Sequence, residues 1–182
     1  MEKKAIPIGI ENFEDIIKDN YYYVDKSMLI EDILVNRAAV TLFTRPRRFG
    51  KTLNMSMIKY FFDVRNKDEN RKLFEELKIF SSEYMKEQGK YPVIFVSLKD
   101  LRGDTWEDTF ENLKSFISDL YAEFEDMREI MNKRDKIKFD KIFYEEEKGD
   151  YETSLKLLSN YIYKYYRKKV IILIDEYDAP II

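Results

Sequence analysis

The chain has 182 residues, 45% of them hydrophobic, which is enough for one domain with a substantial core. Charged residues make up 37% of the chain but nearly cancel to a formal net charge of −3, so the bulk charge does not indicate nucleic-acid binding. The sequence has no cysteine, which excludes disulfides and thiolate metal sites, and no histidine, the usual base at neutral pH. Any catalysis must therefore use carboxylates, lysine, arginine, hydroxyls or backbone groups.

The N-terminal segment MEKKAIPIGIENFEDII contains Pro7, Gly9 and several acidic residues, which interrupt it before a membrane-length apolar stretch can form. We therefore expect a soluble, cytoplasmic protein without a membrane partner. The apolar spacing that follows predicts a helix over residues 26–36, with Asp25 in the position of its N-cap.

Three apolar runs predict buried strands. They lie at residues 40–44, 93–96 and 170–174, and the last is a continuous run of the kind found in central parallel strands. Long helical segments separate the three runs. This alternation favours an α/β fold with a largely parallel sheet.

The segments between the strands show helical spacing. Thr105 and Asp108 resemble a capping box in front of a long amphipathic helix, and a further helix is predicted over residues 153–166. The charged residues 125–150 predict one or two exposed helices or, alternatively, a partly mobile insertion. The predicted core-facing residues of the two amphipathic helices are Trp106, Phe110, Leu113, Ile117, Leu120, Phe124, Leu155, Leu158, Ile162 and Tyr165.

The sequence TRPRRFGKT lies between the first predicted strand and a helix. Its second half fits the phosphate-binding pattern G-x-x-x-x-G-K-[ST]. In this pattern Gly50 would allow the backbone to approach the phosphates, Lys51 would contact them and Thr52 would bind magnesium. Arg45 occupies the position of the first glycine, and Pro46 restricts the turn there. Because Gly-Lys-Thr recurs freely in unrelated proteins, this motif needs support from a second element.

A second element follows the last predicted strand. Asp175 and Glu176 come where the carboxyl end of that strand should emerge, the edge at which open α/β sheets bind ligands. An aspartate there can order a magnesium shell, and the adjacent glutamate can orient or deprotonate water. The alternative for this pair alone is an acidic surface turn.

Four segments together resemble the AAA-ATPase-like family of bacterial and archaeal P-loop proteins. They are IPIGIENFEDIIKDNYYYVDKSMLIEDIL, TRPRRFGKTLNMSMIKYFF, YPVIFVSLKD and VIILIDEYDAPI, which leave only the region around 125–150 weakly matched. The loop of that family typically reads R-P-R-R-F-G-K-T, so the arginine at position 45 is the family's own form. The resemblance implies a P-loop NTPase-like three-layer α/β/α fold with a largely parallel sheet.

The resemblance also implies ATP and Mg²⁺ as ligands. It places magnesium at Thr52 and Asp175 and makes Glu176 the catalytic glutamate. Tyr23, Asp25 and Lys26 are characteristic of the family, but no role can be given to them from the sequence. The implied nucleotide-binding residues are Arg47, Arg48, Phe49, Gly50, Lys51, Thr52 and Leu53.

We expect one P-loop domain over residues 1–182, made of a lead-in (1–37) and a nucleotide-binding core (38–182) with a charged helical insertion near 125–150. The resemblance makes Asp175 the Walker B aspartate, and the sequence ends shortly after the predicted strand that precedes it. We therefore expect a fragment of a larger protein with an incomplete sheet, marginal stability and poor turnover. Three functions remain open: ATP hydrolysis, nucleotide binding without turnover in a regulatory module, and a nucleic-acid-associated defence or mobile-element role. The nucleic-acid-associated role rests on the resemblance alone, because members of the family often carry a C-terminal domain that resembles PD-(D/E)XK nucleases.

Overall fold

The computed structural model describes residues 4–44, 49–99 and 101–177. The chain divides into two compact units, Met1–Val93 and Ile94–Ile182, each with its own buried core. Helices and a small parallel sheet together make the structure a mixed α/β one. Among the described residues, no helix is both long enough and apolar enough to cross a bilayer.

The first unit is helical in its described part. Its helices are α1 (Phe13–Lys18), α2 (Leu29–Asn36), α3 (Lys51–Phe62) and α4 (Lys67–Lys72), followed by short 3₁₀ helices at Lys78–Ser81 and Glu83–Glu87. The start of α1 is stabilised by Asn12, whose side-chain oxygen accepts a hydrogen bond of 3.1 Å from the Glu14 N–H.

An aromatic cluster forms the core of this unit. Phe13 and Phe61 both pack against Phe74, with ring centroids 5.2 and 5.4 Å apart, and all three side chains are fully buried. The backbone N–H of Phe13 also donates to the Ser56 hydroxyl at 3.1 Å, which joins α1 to α3. The N-terminal lead-in is therefore packed into the same core as α3.

The remaining elements begin at Val93. They are β1 (Val93–Ser97), α5 (Trp106–Ala122), a 3₁₀ helix (Glu125–Ile130), α6 (Lys133–Phe143), α7 (Ser154–Tyr166) and β2 (Ile171–Asp175). The two strands pair as a parallel two-stranded sheet. Their pairing continues past β1, because the Leu98 N–H donates to the Asp175 carbonyl at 3.1 Å.

The predicted capping box of α5 is confirmed. The Thr105 hydroxyl accepts from the Asp108 N–H at 3.1 Å and donates to the Asp108 carboxylate at 2.8 Å. Ile117 and Leu120 are buried as predicted. Trp106 was expected in the core, and this is wrong: it lies 73% exposed in the first turn and stacks on Phe110. Tyr165 of α7 is likewise more exposed than predicted.

The charged region 125–150 is folded and contributes to the core. Phe139 and Ile142 of α6 are buried with α5 and α7, so the prediction of exposed helices holds only for the charged face. The alternative of a partly mobile insertion stays a prediction. Phe139 and Ile142 are three positions apart and therefore share one face of α6. The many charged residues of the region make this apolar spacing hard to recognise in the sequence.

The predicted strand at residues 40–44 is not formed. Val40 and Leu42 lie 87% and 64% exposed, and among the described residues this segment pairs with neither strand. The last predicted strand does form as β2, but Ile172 and Ile174 remain substantially exposed, so the prediction of full burial is wrong. A strand is buried only where neighbouring elements cover it, and residue preference cannot supply those neighbours.

Candidate functional site

The motif residues Gly50 to Leu53 lie at the start of α3. Gly50 is the N-cap residue, with φ of 71° and ψ of 31°, and its carbonyl accepts the first helical hydrogen bond from the Asn54 N–H at 3.0 Å. This left-handed conformation costs an L-residue about 1–2 kcal/mol but is freely open to glycine. The glycine therefore allows the chain to turn directly into the helix.

This helix start has the properties of an anion site. No side chain of the described residues caps α3, and its first turn contains no acidic residue. The first N–H groups of a helix lack helical acceptors and carry the positive end of the helix dipole. Lys51 adds an ammonium group that forms no ion pair within the described part of the chain. Backbone donors and a cation thus occur together, which is the chemistry that binds phosphate.

The predicted binding residues are only partly covered by the structure. Gly50, Lys51, Thr52 and Leu53 are contiguous in the loop-to-helix junction, and Phe49 precedes them with an exposed ring. Arg47 and Arg48 lie outside the described residues. The structure therefore brings together the second half of the motif.

The C-terminal part of α3 is joined to α1 through Glu14. Tyr60 donates a hydrogen bond of 3.0 Å to the Glu14 carboxylate, and Lys18 pairs with the same carboxylate at 2.6 Å. The hydrogen bond from Lys18 lowers the pKa of Glu14; burial opposes this effect and the Tyr60 hydroxyl adds to it. These contacts and the Phe13–Ser56 hydrogen bond join α3 to α1.

Asp25 does not cap a helix as predicted. The helix begins at Leu29, and the Asp25 carboxylate instead accepts hydrogen bonds of 2.8 Å from the backbone N–H groups of Ser27 and Lys78. Burial raises the pKa of this carboxyl, but the hydrogen bonds from Lys78 and Ser27 outweigh it and hold the pKa below its usual value. The partner at Lys78 lies 53 residues away along the chain, which no local sequence signal reveals.

Asp175 and Glu176 lie at the carboxyl end of β2. Asp175 is buried as the last residue of the strand, and its carboxylate accepts a hydrogen bond of 3.1 Å from the Glu176 N–H. Glu176 has a φ of 52°, in the left-handed region that is uncommon outside glycine. The pair is thus a buried carboxylate next to a half-buried one on a sharply turned backbone.

The two groups of motif residues belong to different units. Gly50 to Leu53 lie in the first unit and the Asp175 and Glu176 pair in the second, so their pairing in one site stays a prediction. Within residues 4–44, 49–99 and 101–177 there is no group of three or more acidic, histidine or cysteine residues suited to a metal ion. Magnesium does not need such a group, because it is commonly held by one or two carboxylates together with water and substrate phosphates.

Comparison with known proteins gives this geometry a context. The family model described as predicted AAA-ATPase matches residues 7–182. An uncharacterized protein in the vnfD 5' region of Azotobacter chroococcum mcd 1 is 26% identical over 185 residues, an alignment that includes 100% of this chain and 30% of that protein. The chain thus spans about 30% of the length of this relative. No solved structure matches the chain. With nearly its whole length covered by the family model, the chain belongs to the predicted AAA-ATPase family.

Proposed function

We propose that this chain is the nucleotide-binding part of a magnesium-dependent ATPase with a three-layer P-loop fold over residues 1–182. The observation that carries the proposal is the left-handed Gly50 at the start of α3, directly followed by Lys51 and Thr52 in a member of an ATPase family. Glycine, lysine and a hydroxyl at a helix start are the parts that a triphosphate requires.

In this proposal the first unit binds the phosphates. The N–H groups at the start of α3 donate to the phosphate oxygens, Lys51 contributes its ammonium group and Thr52 contributes its hydroxyl to magnesium. Phe49 and Leu53 contribute through their backbone, and Arg47 and Arg48 add positive charge beside the phosphates. The nucleotide supplies the reactive phosphoryl group, and the protein supplies position and charge.

The carboxylates after β2 provide the remaining groups. Asp175 is suited to order the magnesium shell because it is buried and oriented by the Glu176 N–H. Glu176 is suited to orient a water molecule or accept its proton, since it places a half-buried carboxylate directly after the end of β2.

Binding is tested by calorimetry with ATP and magnesium. We expect Lys51→Ala to weaken binding by about 100-fold or more, because the variant would lose charge-assisted hydrogen bonds to both the β and the γ phosphate, each of which contributes about 1.5–3 kcal/mol. Lys86→Ala is the matched control, since Lys86 lies exposed on a 3₁₀ helix and pairs with Glu83. Equal binding by wild type and Lys51→Ala would refute the phosphate site.

Hydrolysis is tested separately in the complete protein that carries this chain. Glu176→Gln should bind ATP normally and lose turnover by at least about 100-fold, because the amide cannot accept the proton. An active protein that tolerates Glu176→Gln would show that this glutamate is not the catalytic group. A wild-type protein that binds ATP without turnover would instead support a regulatory nucleotide-binding module.

A further inference from the structure

The segment Tyr23–Ser27 is anchored beside the start of α3. The Tyr23 hydroxyl donates to the sulfur of Met57 on α3 at 3.3 Å, and its ring packs edge-on against Phe13 at 5.6 Å. Burial raises the pKa of Tyr23 to about 12, so the hydroxyl stays a donor at neutral pH. One end of the segment is thus fixed to α3.

The other end of the segment is fixed by Asp25 and Ser27. Asp25 binds the Ser27 and Lys78 N–H groups, while the fully buried Ser27 hydroxyl accepts from the Ile79 N–H at 3.1 Å. Both neighbours of Lys26 are therefore held by long-range hydrogen bonds. This leaves the backbone of Lys26 with little freedom, although its side chain is exposed.

The Lys26 side chain extends to Gly50 at the start of α3. A Cβ built on Gly50 would lie 3.9 Å from the Lys26 Nζ, so the ammonium group is adjacent to the N-cap of α3. Within the described residues Lys26 forms no ion pair with a carboxylate. An ammonium group at the positive end of a helix is electrostatically unfavourable, and a bound anion reverses the sign of this interaction.

We propose that Lys26 is a second phosphate-binding cation of this site, acting with Lys51 on the phosphates of a nucleoside triphosphate. The proposal rests on the nucleotide-binding function proposed above and adds a residue from outside the loop. Tyr23, Asp25 and Ser27 are then positioning residues, since they hold the backbone from which Lys26 reaches Gly50. The two lysines approach the same anion from separate elements, one from the helix start and one from the anchored segment.

The test compares ATP binding by Lys26→Ala, Lys26→Gln and Lys26→Arg with wild type, by calorimetry in the presence of magnesium. Removal of the charge in Lys26→Ala and Lys26→Gln should weaken binding by about 10- to 100-fold, as expected for a lost charge-assisted hydrogen bond. Lys26→Arg keeps the charge and should retain binding to within about tenfold. Lys86→Ala serves again as the control and should bind like wild type.

Thermal unfolding without nucleotide separates a phosphate contact from a structural role. All Lys26 variants should melt within a few degrees of wild type, whereas the stabilisation that ATP confers should shrink in Lys26→Ala and Lys26→Gln. Loss of stability in the absence of ATP, or binding that Lys26→Ala leaves unchanged, would overturn the proposal for Lys26.

Lys51→Ala distinguishes this failure from failure of the proposed function. If Lys51→Ala loses binding and Lys26→Ala does not, the phosphate site stands and only the role of Lys26 is wrong. If Lys51→Ala binds ATP normally, the proposed function itself fails.

Discussion

Phe139 provides a direct test of whether the charged region 125–150 belongs to the core. Its side chain is fully buried, and its ring centroid lies 4.8 Å from that of Tyr121 and 6.2 Å from that of Tyr161. Truncation of a buried Phe to Ala usually costs 3–5 kcal/mol, and each aromatic pair contributes about 0.5–1.5 kcal/mol beyond its buried area. We therefore expect Phe139→Ala to lower the free energy of unfolding by about 4 kcal/mol.

The measurement is urea unfolding followed by far-ultraviolet circular dichroism. Ile137→Ala is the matched control, because Ile137 lies on the same helix with its side chain 50% exposed and should cost less than about 1 kcal/mol. Phe139→Leu keeps an apolar side chain and gives an intermediate value if the alanine variant does not fold. A cost below about 1 kcal/mol for Phe139→Ala would refute the inclusion of this region in the core.

Two buried tyrosines give a contrasting pair: the Tyr121 hydroxyl donates to a backbone carbonyl at 2.8 Å, whereas the Tyr161 hydroxyl has no partner within the described residues. Chemical denaturation should show that Tyr121→Phe costs about 1 kcal/mol while Tyr161→Phe costs nothing or stabilises slightly, and a clear loss for Tyr161→Phe would reveal a partner for its hydroxyl. Asp25→Asn should destabilise the chain by about 2 kcal/mol at neutral pH, because the carboxylate accepts hydrogen bonds from the Ser27 and Lys78 N–H groups. The hydrogen bonds hold the pKa of Asp25 below its usual value in the folded chain, so this stability is present above the unfolded pKa of about 4 and is lost as the pH falls through the lowered folded pKa. The unfolding free energies of variant and wild type should therefore converge on acidification, and a difference that stays constant would contradict the assignment.

Local signals in the sequence were reliable where the interacting groups are close along the chain. The capping box of Thr105 and Asp108 was predicted because its two members are three residues apart, and the structure contains both of its hydrogen bonds. The start of α3 follows the same rule, since TRPRRFGKT was predicted to lie directly in front of a helix and α3 begins at Lys51.

Predictions that depended on distant neighbours were less reliable. Residues 40–44 have the composition of a buried strand, yet a strand needs partners on both sides that its own sequence does not encode. The apolar face of α6 was hidden by its charge, because burial of Phe139 depends on α5 and α7 being there to cover it.

The sequence by itself determined the family, the helix α3 that follows TRPRRFGKT, and the identity of the residues proposed to act on ATP. These depend on residue type and short spacing, which the chain carries whatever its fold. Only the tertiary structure decided how Tyr23, Asp25 and Ser27 are used and where Lys26 extends. Those roles arise from contacts with Met57, Lys78, Ile79 and Gly50, all distant along the chain and brought close only by folding.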